Sequence, residues 1–280
     1  IAPPVYNFFM TAPGLSNLVK LFAGFAQKRS MPELYKTTLK KWYRKNRRSS
    51  VRDEKKRRVY LFCDEFTDYN DTEIGIKAVL LLEKLGFEVI IPEHIESGRA
   101  SLSKGLIRKA QKIANKNIEL LAPLISDETP LLGVEPSSIL TFRDEYPDLA
   151  SDKNLEAALY LKKNTWLIDE FIAKEIEAGR ISRDRFTKEH KTIVLHGHCQ
   201  QKAISSVEHS FKMLSLPENY KVRTIPSGCC GMAGSFGFEK EHFDVSMQIG
   251  ELVLFPTIRK QAGETLIAAP GTSCRHQIKD

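Results

Sequence analysis

The feature that most constrains how this chain can fold is a strand–helix–strand pattern that occurs twice. Val59-Tyr60-Leu61-Phe62 is an apolar run of strand length. Residues 74–85 have helical periodicity stopped by Gly86, and 87–91 form a second apolar run ended by Pro92. Residues 191–196, 201–214 and 221–225 repeat that order, and Pro226 again ends the second strand. Strand, helix and strand at this spacing mark an α/β layer architecture with parallel sheets. Both halves continue with a long helix, a short apolar strand and a closing helical turn. Gly98 aligns with Gly231, and Gly133-Val134-Glu135-Pro136-Ser137-Ser138 aligns with Ala269-Pro270-Gly271-Thr272-Ser273-Cys274. Gly98 lies 40 residues before Ser138 and Gly231 lies 43 before Cys274. An internal repeat of roughly 90 residues is expected, the alternative being two unrelated βαβ units. Between the halves, residues 155–178 read as one or two helices ending near Gly179.

Charge divides the chain a second way. The 280 residues carry 42 Lys plus Arg and 35 Asp plus Glu, a net of +7. Residues 1–58 hold 15 of the basic residues and three acids (Glu33, Asp53, Glu54), a net of +12, which leaves 59–280 at −5. The basicity therefore belongs to an N-terminal arm, residues 1–57. Within it, 1–14 read as an irregular docking segment and 15–27 as a helix with Leu18, Leu21, Phe22 and Phe25 on one face. Residues 36–58 carry 12 Lys or Arg around Trp42 and Tyr43. Such an arm can track phosphates and stack bases, lie on an anionic membrane surface, or tether the module to further domains. The tether is the plainest reading, and a body at −5 gives no electrostatic reason to expect nucleic acid.

An apolar fraction of 42% with 28% charged residues is that of a soluble globular chain. No apolar run reaches the roughly 18 residues of a membrane-spanning helix. The start, Ile1-Ala2-Pro3-Pro4, has neither an initiator Met nor a basic leader before an apolar core. It reads as a fragment or processed product and not as a secretory signal.

Five cysteines in 280 residues are too sparse and too odd in number for a disulfide framework. Reduced thiols in a cytoplasmic protein fit better, and clustered cysteines then point to metal or redox chemistry. Four of them stand at strand-to-helix junctions of the second half: Cys199 in His196-Gly197-His198-Cys199, Cys229 and Cys230 in Ser227-Gly228-Cys229-Cys230-Gly231, and Cys274. These junctions share one end of the expected parallel strands, where ligands of open α/β sheets collect. Thiolate is the ligand of soft metals and iron–sulfur clusters. Gly228 and Gly231 would let backbone approach such a centre and offer N–H groups to its sulfurs. His196 and His198 could ligate the centre, hydrogen-bond to it, or be ordinary strand-end residues, and His276 is a weaker candidate. Cys63 reads as a buried apolar residue, and His94, His190, His209 and His242 are expected on surfaces. Four reduced thiols without metal, or one thiol nucleophile with a histidine base, remain alternatives, although the latter leaves four cysteines unexplained.

This constellation resembles the cysteine-rich CCG domain of iron–sulfur oxidoreductases. That family includes the heterodisulfide reductase B subunit, the iron–sulfur subunits of glycolate oxidase and anaerobic glycerol-3-phosphate dehydrogenase, and lactate-utilisation proteins. Its pattern is a single Cys, then Cys-Cys-Gly, then Cys-x-x-Cys, usually in two tandem copies. The stretch from Ser227 to Gly237 is most similar to the C-terminal part of FAD-linked oxidases acting on D-2-hydroxy acids. There, a flavin domain and a ferredoxin-like cysteine module precede the matching segment. The resemblance covers residues 58–280. Where the family has the first cysteine of its terminal pair, this chain has Gly271. Four thiols remain, enough for a 4Fe–4S cluster or for zinc, and a cluster needing five cysteines is put in doubt. In the first half the corresponding positions are Glu65, Glu96, Ser97 and Ser138, so that copy is expected to have lost its metal.

The expectation is thus an α/β protein of two pseudo-symmetric Rossmann-like CCG repeats with parallel sheets, preceded by an N-terminal helical arm. Residues 58–150 would be the degenerate repeat, 151–190 a helical connector, and 191–280 the repeat with the cysteine site. The resemblance implies the electron-transfer part of an FAD-linked 2-hydroxy-acid dehydrogenase, not catalytically complete by itself. FAD would be held by the upstream domains or subunits. Cys199, Cys229, Cys230 and Cys274 would hold an iron–sulfur cluster, with His198, Gly228 and Gly231 beside it, passing electrons towards a quinone or carrier. A structural zinc module is the alternative. The setting would be cytoplasmic, with a peripheral position on the inner face of a membrane as the option the arm allows.

Overall fold

The computed structural model describes residues 2–47 and 56–280. Of the basic run expected at 36–58, residues 48–55 therefore lie outside the described residues. The chain divides into two compact units, Thr37–Phe171 and Ile1–Lys36 with Ile172–Asp280.

In the first unit four strands form an all-parallel sheet: β1 (Arg57–Phe62), β2 (Phe87–Ile90), β3 (Leu131–Gly133) and β4 (Thr165–Leu167), in the order β2-β1-β3-β4. β1 buries Val59, Tyr60, Leu61 and Phe62 without alternation, as a central parallel strand covered on both faces does. The helix Thr72–Lys84 turns Ala78, Val79 and Leu82 inward at helical spacing and stops before Gly86, whose φ of 101° only glycine adopts freely. The helix Ile107–Leu121 buries Ala110, Ile113, Ala114, Ile118 and Leu121 in the same way.

The second unit carries a three-stranded parallel sheet, β5 (Lys191–Leu195), β6 (Tyr220–Thr224) and β7 (Leu266–Ala268), in the order β6-β5-β7. Its ladder repeats that of the first sheet. Tyr60 stands opposite Ile90 and Leu131, and Val194 stands opposite Arg223 and Ile267. Placing Tyr60 on Val194 sets offsets of 133 residues for the second strand and 136 for the third. Those offsets carry Gly98 onto Gly231 and Ser138 onto Cys274, the pairs aligned from sequence. Gly98 and Gly231 both have positive φ, 80° and 96°. The fold is α/β with two parallel sheets in a Rossmann-like two-repeat arrangement and helices at the N-terminus.

Several details differ from the sequence expectation. Residues 3–11 are not irregular but helical, because prolines at the first two helical positions lose no hydrogen bond there. The next helix, Leu15–Ala23, ends earlier than expected, at Gly24 with φ 77°. The segment 1–57 is not one arm: residues up to Lys36 belong to the second unit, whereas the helix Leu39–Asn46 belongs to the first. Buried Arg29 is the physical reason for the former. Its guanidinium donates to Gly237 O at 2.9 Å and Asp280 at 3.0 Å, and sits 4.9 Å from the Phe243 ring. The expected connector 151–190 contains β4, three residues too short to show a period. Residues 201–214 are split in two, Cys199–Ile204 and Val207–Leu214, with Ser206 capping the second.

Candidate metal centre

Three loops at the carboxyl ends of β5, β6 and β7 bring the four cysteines together. After β5 the chain turns through His196 and Gly197 into the short helix Cys199–Ile204, whose N-cap is His198: its Nδ1 accepts from the Gln200 N–H at 3.2 Å. A Cβ on Gly197 would lie 2.3 Å from the Val207 side chain, so the packing here leaves no room for one. After β6 come Ser227, Gly228, Cys229 and Cys230, and then Gly231. A Cβ on Gly231 would meet Ser246 O at 2.2 Å. After β7, Gly271 caps the helix Thr272–Lys279, which carries Cys274 in its first turn.

The sulfurs form a continuous series of side-chain contacts, Cys199 to Cys229, Cys229 to Cys230 and Cys230 to Cys274. Cys230 and Cys274 are buried in the apolar core of this unit with Val194, Ile225, Met232, Leu254 and Phe255. Cys229 is half-buried and Cys199 exposed. A ring nitrogen of His196 and the sulfurs of Cys230 and Cys274 all lie within 4.8 Å of one another. Hydrogen bonds between neighbouring thiols set the acidities. Cys229 is pulled down, chiefly by the Cys199 thiol, and Cys274 is pulled down to about 5, chiefly by Cys230 and also by His196. Their donors Cys199 and Cys230 are pushed up by the same shared protons and by burial.

Two cations brace the loops. Lys202 Nζ donates to Ser227 O at 2.5 Å and Gly228 O at 2.8 Å, just before the paired cysteines. Arg275 Nη1 donates to Ala269 O at 3.0 Å and Pro270 O at 2.5 Å, just before Cys274. Neither residue stood out in the sequence, because a Lys three positions beyond a cysteine carries no motif.

The glycines divide. The Gly231 N–H donates to Cys229 Sγ at 3.3 Å, as expected of a residue beside the sulfurs. Gly228 offers its carbonyl to Lys202, and a Cβ there would meet nothing, so no close approach requires glycine. His196 is fully buried, with Nδ1 2.6 Å from Ser227 Oγ. The His198 ring packs on Gly271, where a Cβ would fall 2.3 Å from its Cδ2. The place of the side chain absent at 271 is thus taken by an imidazole. His276 bonds to Ser30 at 2.9–3.0 Å, away from this set.

In the first unit Cys63 is buried as expected. His94 is not on the surface but buried: its ring packs tilted against Phe62, centroids 4.3 Å apart, and its Nε2 accepts from the Cys63 N–H at 3.2 Å. Of the other three histidines expected on surfaces, His190 is exposed, while His209 and His242 are half-buried. At the positions equivalent to Cys199 and Cys230, Glu65 accepts from the Ser97 hydroxyl at 2.7 Å and the Ser97 N–H at 2.9 Å. Tyr146 donates to Ser97 O, and Asn117 donates to Glu96 O and to the Tyr146 hydroxyl, each at 2.9 Å.

No family model matches the chain. It is 26% identical over 288 residues to a D-2-hydroxyglutarate dehydrogenase of Escherichia coli (strain K12), covering 99% of this chain and 27% of that protein. It is 22% identical over 278 residues to one subunit of the anaerobic glycerol-3-phosphate dehydrogenase of the same strain, covering 99% of this chain and 68% of that protein. With lactate utilization protein A of Bacillus subtilis (strain 168) it shares 28% identity over 218 residues, 76% of this chain and 87% of that protein. The chain spans about a quarter of the length of the D-2-hydroxyglutarate dehydrogenases that it matches.

Proposed function

We propose that this chain, whose relatives are a D-2-hydroxyglutarate dehydrogenase, a subunit of anaerobic glycerol-3-phosphate dehydrogenase and lactate utilization protein A, belongs with them to the cysteine-rich CCG-domain family and is the metal-holding, electron-transfer portion of a longer oxidoreductase acting on a hydroxy group. The observation that carries this reading is the convergence of four sulfurs from three strand ends into one contact series. The donor set fits a soft metal or an iron–sulfur cluster: four thiols, two of them already favouring the thiolate, with an imidazole beside them. Cys199, Cys229, Cys230 and Cys274 would be the ligands. A cluster held there supplies the uptake and release of single electrons.

The chain's own residues do the rest. Cys230 and Cys274 present their sulfurs from an apolar core that excludes water. The Gly231 N–H donates to Cys229 Sγ and favours its thiolate. Lys202 and Arg275 hold two of the three ligand loops by their carbonyls and place positive charge beside a set of thiolates. Cys199 is the exposed member, so electrons would enter or leave on that edge.

The relatives support a finer statement. The parent enzyme would be a 2-hydroxy-acid dehydrogenase, with FAD bound outside the segment that this chain spans. Electrons from the flavin would pass through this centre towards a quinone or carrier. Phe8, Leu18, Leu21 and Phe22 on the first two helices are exposed, Phe22 by 83%, as a face covered by neighbouring domains or a membrane surface would be. Among the described residues no helix is long and apolar enough to cross a membrane.

Anaerobic purification followed by an absorption spectrum and analysis of iron, sulfide and zinc tests the reading. A brown protein with about four irons and four sulfides per chain is expected. A colourless protein with one zinc replaces the electron-transfer reading with a structural one.

A further inference from the structure

Two histidines flank Cys199 in sequence, and the structure gives them different tasks. Building on the reading of the thiol set as a metal site, we propose that His196 is itself a ligand of that centre, through Nε2. His198 is then not a ligand but a hydrogen-bond donor beside it.

His196 continues the strand β5. Its N–H donates to Ala268 O at 2.8 Å, which fixes its backbone against β7. The side chain is fully buried, with Nδ1 on Ser227 Oγ and a ring nitrogen within 4.8 Å of the Cys230 and Cys274 sulfurs. Nε2 is buried and has no oxygen or nitrogen partner, the Cys274 sulfur being the polar group beside the ring. An unpaired polar atom in a core is costly, and its persistence needs a cause. With the proton on Nδ1, donated to Ser227, the Nε2 lone pair is left for a cation. That is the usual state of a metal-bound imidazole, whose second nitrogen is held by an outer hydrogen bond. Ser227 belongs to the loop that carries Cys229 and Cys230, so the residue orienting His196 is itself part of the ligand framework.

His198 is committed differently. Its Nδ1 accepts from the Gln200 N–H to cap the helix that begins at Cys199. An accepting Nδ1 is unprotonated, so in the neutral ring the proton is on Nε2, and that nitrogen can donate but cannot ligate. Its edge lies against Gly271: a Cβ there would be 2.9 Å from Nε2. A side chain at 271 and the His198 ring exclude each other.

The test uses the full chain, freed of metal anaerobically and loaded with Co2+, whose paramagnetism shifts the exchangeable N–H of a bound imidazole far from other resonances. Wild type and His198→Asn, which retains a capping side chain, are expected to show one such resonance. His196→Ala should lose it and bind Co2+ at least tenfold more weakly, with its circular dichroism spectrum unchanged. Ser227→Ala should keep the resonance, exchange its proton faster, and bind Co2+ about tenfold more weakly. If His196→Ala does not fold, the wild type and Ser227→Ala still decide the matter. Co2+ uptake through thiolates with no shifted imidazole resonance overturns this inference alone, as does a resonance lost in His198→Asn and kept in His196→Ala. A wild-type chain that takes up no Co2+ overturns the metal reading and this inference together.

Discussion

At the carboxyl edge of the first sheet, Glu65 accepts two hydrogen bonds from Ser97. At the equivalent positions of the second sheet stand Cys199 and Cys230, each beside the Cys229 sulfur. The frame is the same, with matching ladder registers and a positive-φ glycine after the second strand. The chemistry is different. A carboxylate and a hydroxyl satisfy one another, and Tyr146 and Asn117 complete the network from within the unit. Four sulfurs can share protons but cannot all ionise without a compensating cation. On one edge Glu65 and Ser97 satisfy each other, although the buried Ser138 hydroxyl there has no hydrogen-bond partner, and the other edge is built from groups whose full charge calls for a ligand.

The comparison can be broken most directly at the thiols. Cys230→Ser or Cys274→Ser should abolish metal binding, whereas Cys63→Ser should leave the metal content unchanged by elemental analysis. Metal lost with Cys63→Ser would show that the two repeats are out of register.

The next effect tests what braces the second unit. Arg29→Met removes one partner of a buried pair with Asp280 and should cost about 3–5 kcal/mol in urea unfolding. A change within about 0.5 kcal/mol would show that residues 25–30 merely lie on this unit.

The first edge also has a pH signature. Burial, then the nearby Glu135 carboxylate, push Asp64 up to about 8. Its folded value lies above the unfolded value of about 4, so the native state holds this proton more tightly. The associated stability is complete below about pH 4 and is lost as pH rises through about 8. Asp64→Asn keeps an oxygen for the Phe66 and Thr67 amides and should flatten that decline. Parallel stability curves for variant and wild type between about pH 5 and pH 8.5 would refute it.

Smaller still, Ser97→Ala should destabilise the first unit by about 1–3 kcal/mol by leaving Glu65 short of its hydrogen bonds. Metal content should not change. A drop in metal content would mean that the two edges are coupled and not independent.

How much of this was legible beforehand depends on the kind of signal. Val59–Phe62, the helix stop at Gly86, and the prolines after β2 and β6 are local, and each was readable from its own neighbours. That Cys199, Cys229, Cys230 and Cys274 follow the strands of one parallel sheet was readable too, because parallel strands send their following loops to one edge. β4 was not, since a three-residue strand exists only through its pairing with β3. The burial of His94 was not either, because it depends on the ring of Phe62, 32 residues earlier. The fate of residues 1–36 turned on Arg29, whose partners lie more than 200 residues away.

The sequence by itself determined the architecture and the location of the thiols. Apolar period, glycine and proline punctuation and cysteine spacing act within a few residues and repeat with the fold. Only the tertiary structure decided which groups brace the thiols, which histidine faces them, and that the first edge is filled by Glu65 and Ser97. Apart from the local brace by Arg275, those outcomes rest on hydrogen bonds and burial between residues distant in the chain, and nothing in their local sequence encodes such a partner.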